Sequence, residues 1–318
     1  MGKPLRLHLR RPEFFDRVKS YFTSPPCPPI VLQLTPGYLS GIQLSTKDKK
    51  IKQHLIAPLP RGLVEPHFER PNIPDCAALA GAVKDALGRL QASGEKAACL
   101  LPEACFKVFV LNFDSLPASE SERQNLILWR AKKQLPVQPE DVRLSYQAME
   151  AGASVRIVAV LSRASIIQEY EAFFAGLGLE LGVISAPTLS LANIIDWQAE
   201  GEVVLVNIEE DSLGLIAVIG SEVALYRVKP LAGDLAGDRR LDNLVKEVEN
   251  TVHFIEDRES QGIQTLWFRS GLLEGGEALF AELGERLTVP VKPIQAASLS
   301  SFGPAEQAIL LPLAGQIP

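Results

Sequence analysis

Residues 203–229, VVLVNIEEDSLGLIAVIGSEVALYRVK, hold three apolar runs separated by tight polar breaks. Runs of this length, rich in β-branched residues and bounded by turn formers, predict a three-stranded meander. The first run, VVLV, is apolar throughout, as in a strand buried on both faces. It ends at Asn207-Ile208 and enters an acidic turn, Glu209-Glu210-Asp211. A second stretch near the front has the same plan: residues 30–34, a Thr35-Pro36-Gly37-Tyr38 break, residues 39–44, a Lys-rich turn, and residues 51–56. Two copies of one meander predict two related lobes.

The chain has 318 residues, enough for two cores, and is 47% hydrophobic and 22% charged, the composition of a globular α/β protein. A net charge of −6 gives no basic footprint for nucleic acid. The exception is residues 1–29, where Lys3, Arg6, Arg10, Arg11, Arg17 and Lys19 interleave with leucines and aromatics ahead of Ser-Pro-Pro-Cys-Pro-Pro. This predicts a basic amphipathic arm and a stiff linker, the arm either packing on the body or touching an anionic membrane. No apolar run reaches membrane-spanning length, and no secretory signal is present, so a cytosolic protein is expected. Cys27, Cys76, Cys99 and Cys105 form no CxxC pair, and the four histidines lack ligand or triad spacing, so no metal is expected.

Between the meanders, Asp75 is placed to cap a helix carrying Leu79, Val83, Leu87 and Leu90 at helical spacing. Strands at 97–101 and 106–113, a helix at 118–135, strands at 143–149 and 155–161 and a helix at 164–177 form a compact α+β unit. In the 118–135 helix Leu126, Trp129 and Leu135 are expected to supply buried surface, and Arg130 and Lys133 to complement the dipole at its end. A strand at 179–185 and a helix at 187–197 lead back to the second meander. Beyond it come a Gly-rich turn, a long helix with Leu241, Leu244, Val245, Val248, Val252 and Ile255 inward, a strand at 265–268, the turn Arg269-Ser270-Gly271, a helix at 274–287, a strand at 289–294 and a last helix at 306–313.

Several words in this order resemble the type IV pilus assembly PilM family. VLQLTPGYLSGIQL at 31–44 stands where that family carries a DIGSSSVKAVQL-like strand-turn-strand. LLPE at 100–103, FDSLPASE at 113–120, WRAKKQLPV at 129–137, DVRLSYQ at 141–147 and VAVLSR at 158–163 are similar to further family words. The resemblance covers nearly everything after residue 29. It implies an actin-like ATPase fold, two duplicated ribonuclease H-like lobes with an inserted α+β subdomain. The first lobe would be 30–95 plus 186–200, the insert 96–185, and the second lobe 201–318, with its smaller part at about 233–262. It also implies a cytosolic scaffold beneath the inner membrane of the pilus platform, among other platform proteins. Its partner would be the N-terminal tail of a PilN-like membrane protein, held in a cleft between the first-meander subdomain and the insert. Leu126, Trp129, Arg130 and Lys133 are the expected contacts. The cytoplasmic domain of a type II secretion GspL protein is the adjacent resemblance.

The family's nucleotide loops are altered here. In that fold each meander turn needs Gly and small hydroxyl residues so that backbone N–H groups can face phosphate. The first-turn Asp, Gly and Lys positions fall on Gln33, Thr35 and Ser40. The second-turn Asp falls on Asn207, the Gly on Glu209, and the hydroxyl positions on Glu210, Asp211 and Ser212. The adenine-side Gly-Gly-Gly turn becomes Arg269-Ser270-Gly271. Loss of both Asp removes the charge for a magnesium shell, and at 4 Å with an effective dielectric near 20 each carboxylate–phosphate repulsion costs roughly 4 kcal/mol. ATP and Mg²⁺ are therefore disfavoured as cofactors. An active ATPase or kinase would need Asp234 or Asp238 as its base, residues that read more simply as turn formers beside Gly.

Overall fold

The computed structural model describes residues 28–317 apart from 46, 91–94, 152–153, 198–200, 221, 232–237 and 260–261. The N-terminal arm, Asp234 and most of the Gly-rich turn lie outside the described residues. The first meander is β1 (Ile30–Leu34), β2 (Tyr38–Leu44) and β3 (Ile51–Pro58), followed by α1 (Cys76–Arg89) and β4 (Lys96–Leu100). Next come β5 (Lys107–Phe113), α2 (Glu120–Ala131), β6 (Val142–Ala151), β7 (Ser154–Arg163), α3 (Ala164–Gly176), β8 (Glu180–Ser185) and α4 (Pro187–Ala192). The second meander is β9 (Val203–Ile208), β10 (Ser212–Ile219) and β11 (Glu222–Pro230). It is followed by α5 (Asp238–Glu259), β12 (Thr265–Ser270), α6 (Gly276–Arg286), β13 (Val291–Pro293) and α7 (Pro304–Ala314).

The two lobes repeat one topology. The first sheet has the order β3-β2-β1-β4-β8 and the second β11-β10-β9-β12-β13. In each the meander is antiparallel and the fourth strand runs parallel to the first. A parallel neighbour needs a crossover, which α1 supplies in the first lobe and α5 in the second. Both central strands, β1 and β9, are buried along their whole length. Their period of two sends alternate residues into different cores: Val203 and Leu205 join the core shared with the first lobe, while Val204, Val206 and Ile208 pack under Val245, Val248 and Val252 of α5. Each such buried Val or Leu is worth about 1.5–3 kcal/mol relative to exposure.

Asp75 caps α1 as expected, its Oδ1 accepting the Ala78 amide at 2.9 Å. The boundaries of the insert differ from expectation. Strands β4 and β8 both belong to the first-lobe sheet, and Tyr170, Phe173 and Phe174 of α3 join the first-lobe core. The separate unit is therefore the β5-β7-β6 sheet covered by α2, with its own small core of Leu111, Ile127, Ala131, Ile157, Ala159 and Leu161.

Trp129 is not in that core. Ile127 and Ala131, one turn apart, define the inward face of α2, and a residue two positions on from Ile127 lies on roughly the opposite side. Trp129 is 66% exposed. Cys99 and Cys105 are buried free thiols, and Cys76 is exposed. Among the described residues, no helix is long and apolar enough to cross a membrane.

Candidate functional site

The two meander turns face each other where the lobes meet, and the residues between them form one buried polar cluster. Gln33 lies near the end of β1 and Asn207 near the end of β9, both fully buried. The parallel register of β12 sets Arg269 beside Asn207. A guanidinium so placed must find partners, because an unpaired buried charge is far more costly than a surface one. Arg269 Nη1 donates to Asn207 Oδ1 at 2.9 Å and to Glu209 Oε1, forming a buried ion pair. Its Nη2 donates to the Tyr38 hydroxyl at 3.2 Å, and its Nε to the Ala308 carbonyl of α7 at 2.7 Å. Glu209 in turn accepts from Gln33 Nε2 at 2.7 Å and from the Tyr38 hydroxyl at 3.0 Å. Burial opposes the charge on Arg269, and the Glu209 carboxylate overrides that opposition, so Arg269 is held protonated. Burial, reinforced by Glu209, pushes the Tyr38 phenol well above its ordinary value.

The turns spend their own donors. The Thr35 hydroxyl accepts the amides of Gly37 at 3.3 Å and Tyr38 at 3.0 Å, and donates to the Tyr38 carbonyl. In the second turn the Glu209 amide donates to the Ser212 carbonyl at 2.8 Å, and the Gly271 amide to the Ile208 carbonyl at 2.7 Å. Ser212 Oγ is within 3.0 Å of Asp211 Oδ1. A Cβ on Gly37 would lie 2.5 Å from Glu210 Oε2, and one on Gly271 2.3 Å from Glu209 Oε2. Ser40 faces Gln33 across the first hairpin, buried, its Oγ without a partner among the described residues.

A phosphate needs a concave nest of free N–H groups, and in the first turn the amides of Thr35, Gly37 and Tyr38 are all taken up within the turn itself. The expected picture of the second turn needs correction. Glu209, Glu210 and Asp211 do not stand as three bare carboxylates toward a polyphosphate. Glu209 is turned inward and neutralised by Arg269, and Glu210 pairs with Arg61 at 3.2 Å across the cleft. Asp211 is mostly buried, and that burial raises its pKa to about 6. Asp238 opens α5, and its side chain lies outside the described residues.

Three residues unforeseen from the sequence extend the cluster. Asn207 Nδ2 donates to Thr188 Oγ1 at 3.0 Å, the Thr188 amide to Glu103 Oε1 at 2.7 Å, and the Tyr226 hydroxyl to Glu103 Oε2 at 2.8 Å. Glu103 is 1% exposed, and burial pushes its carboxyl above the ordinary range. The signal for Arg269 was present: a charged residue near the end of the apolar strand TLWFRS requires a buried partner.

A second feature is a groove of about 310 Å³ between the insert and the first lobe. One wall is β8, which among the described residues is an edge strand paired with β4 alone, and contributes Leu181, Gly182 and Ile184. The other is the sheet face carrying Arg143, Ser145, Val160 and Ser162. At its mouth Arg143 and Glu171 form a two-pronged ion pair at 2.7 and 3.2 Å. Helix α2 covers the opposite face of this sheet, so Leu126, Trp129, Arg130 and Lys133 do not line the groove.

Duplicated lobes of this topology, with an α+β insert after the first-lobe crossover, define the actin-like ATPase fold. The fold is shared with solved structures that match at low identity. A PilM-PilN type IV pilus biogenesis complex is similar at 18% identity and a TM-score of 0.73, covering 91% of this chain and 98% of that one. The cytoplasmic domain of EpsL, an inner-membrane component of the type II secretion system of Vibrio cholerae, is similar at 8% identity and a TM-score of 0.51, with 89% and 93% covered. A Bacteroides thetaiotaomicron protein of actin-like ATPase fold and unknown function is similar at 12% identity and a TM-score of 0.53, with 91% and 97% covered. No family model matches the sequence, and no curated protein matches it. The fold implied by the sequence words of PilM proteins is the fold found.

Proposed function

We propose that the chain is a scaffold of a type IV pilus assembly platform that holds the N-terminal tail of a PilN-like membrane protein and uses no nucleotide. The fold it shares with a PilM-PilN complex supports the platform role and the partner. What carries the second half is the Arg269–Glu209 pair, which sits with Gln33, Asn207 and Tyr38 where the two turns would otherwise cradle phosphate. The internal guanidinium and carboxylate satisfy one another, so the lobes are joined without a ligand. The protein would sit against the cytosolic face of the inner membrane through its partner, beside other platform components.

The groove beside β8 suits an extended tail. An edge strand offers main-chain pairing to an added strand, and apolar positions at Leu181 and Ile184 with the Arg143–Glu171 pair would set register. Gly182 leaves open space: nothing lies within 4 Å of an added Cβ. Fluorescence anisotropy with a labelled N-terminal peptide of a PilN-like protein tests the proposal. Saturable binding is expected, weakened more than about tenfold by Gly182→Phe, which loses at least 1.4 kcal/mol of affinity while the fold survives. No saturable binding, or equal binding by the variant, would refute it.

A further inference from the structure

The outer face of α2 carries a feature that neither the fold nor the groove uses. Trp129, at 66%, is more exposed than Phe254 or Leu273, the other exposed large apolar residues among those described. Half-buried Leu126 lies one turn before it, and Arg130, Lys132 and Lys133 lie beside and after it, all exposed. Spacings of three and four put Leu126, Trp129, Arg130 and Lys133 on one helical face, which the 3₁₀ turn at Lys132–Gln134 prolongs. None of the three cations makes an ion pair with a described residue, in a chain whose net charge is −6. The helix dipole accounts for cations at a C-terminus. It does not account for an indole left in water.

An indole flanked by flexible cations matches the headgroup zone of an anionic bilayer. There the ring lies between water and acyl chains and the ammonium groups meet lipid phosphates. We infer that this face of α2 rests on an anionic lipid surface, with Trp129 at headgroup depth and Arg130, Lys132 and Lys133 against the phosphates. The groove lies on the other face of the same three-stranded sheet, so tail capture and lipid contact can occur together. An acidic protein surface would satisfy the cations alone, whereas the exposed indole of Trp129 favours a fluid surface that can close around it.

The test uses the full chain, co-sedimented with vesicles of phosphatidylcholine and of phosphatidylcholine with one-third phosphatidylglycerol. Binding is expected only with phosphatidylglycerol, weakening as salt rises, with the Trp129 emission moving to the blue. Each cation removed should lower vesicle affinity about fivefold, and Trp129→Ala with Lys132→Glu and Lys133→Glu should abolish it. Arg6→Gln with Arg10→Gln and Arg11→Gln separates the contribution of the N-terminal arm. If vesicle binding is lost in that variant and unchanged in the α2 variant, the inference is overturned. It is equally overturned if soluble polyglutamate shifts Trp129 emission as strongly as the anionic vesicles do. Gly182→Phe should leave vesicle binding intact, so failure of tail capture and failure of lipid contact are told apart.

Discussion

Pro312 decides where Arg269 can end. Pro312 lies inside α7 and has no amide hydrogen, so the carbonyl of Ala308, four residues earlier, is left without a helical partner. Arg269 Nε donates to that carbonyl at 2.7 Å. A helix defect in the last element thus fixes a guanidinium at the junction of the lobes. From there it reaches Glu209 and Asn207 of the second lobe and Tyr38 of the first.

Removing the cation leaves the Glu209 carboxylate buried and unpaired. Arg269→Met should therefore destabilise the protein by roughly 3–5 kcal/mol, whereas Arg269→Met with Glu209→Gln should recover most of that loss. Urea unfolding of the four proteins of the cycle measures it. Additive losses would show that the two side chains do not act as a pair.

Asp211 predicts a pH dependence. Its folded pKa of about 6 lies above its ordinary 3.8, so the native state binds more protons than the unfolded chain in that window. Stability should fall as pH rises from 4 to 6, by roughly 2 kcal/mol from this group, and level off above. Asp211→Asn should flatten that part of the profile in unfolding measurements. An unchanged slope would exclude Asp211 as its source.

The orientation of α2 can be checked by two substitutions on one helix. Ile127 is fully buried, so Ile127→Ala should cost about 2–5 kcal/mol. Trp129→Ser should change stability by less than about 0.5 kcal/mol. Thermal unfolding of both variants gives the comparison, and a large loss at Trp129 would reverse the assignment of faces.

Gly214 faces Asn207 across the second hairpin, and a Cβ there would lie 2.1 Å from Thr188 Oγ1. Gly214→Ala should cost about 1–3 kcal/mol through overpacking, and Thr188→Ala in the same protein should return part of it. Denaturation midpoints decide this; a neutral single variant would contradict the close packing of β10 on α4.

Both meanders were legible because each is local, with continuous apolar strands between polar breaks, and β1 falls at residues 30–34 as the pattern places it. The membership of β4 and β8 was not legible. Parallel pairing joins segments far apart in sequence, and nothing local distinguishes an edge strand of one sheet from a strand of the next. The inward face of α2 was hidden by four successive apolar residues, 126–129, in which periodicity selects no side. The polar residues at the two turns, Gln33, Asn207 and Glu209, could be read directly. Their mutual satisfaction could not, since Gln33, Tyr38, Asn207, Glu209 and Arg269 meet only once the lobes close.

An internal ion pair is proposed to occupy the place of a nucleotide's phosphates. Calorimetric titration of the full chain with ATP and Mg²⁺, alongside an assay for ADP release, tests it most directly. No saturable heat and no turnover are predicted; low-micromolar binding with ADP release would show that the ion pair does not keep nucleotide out.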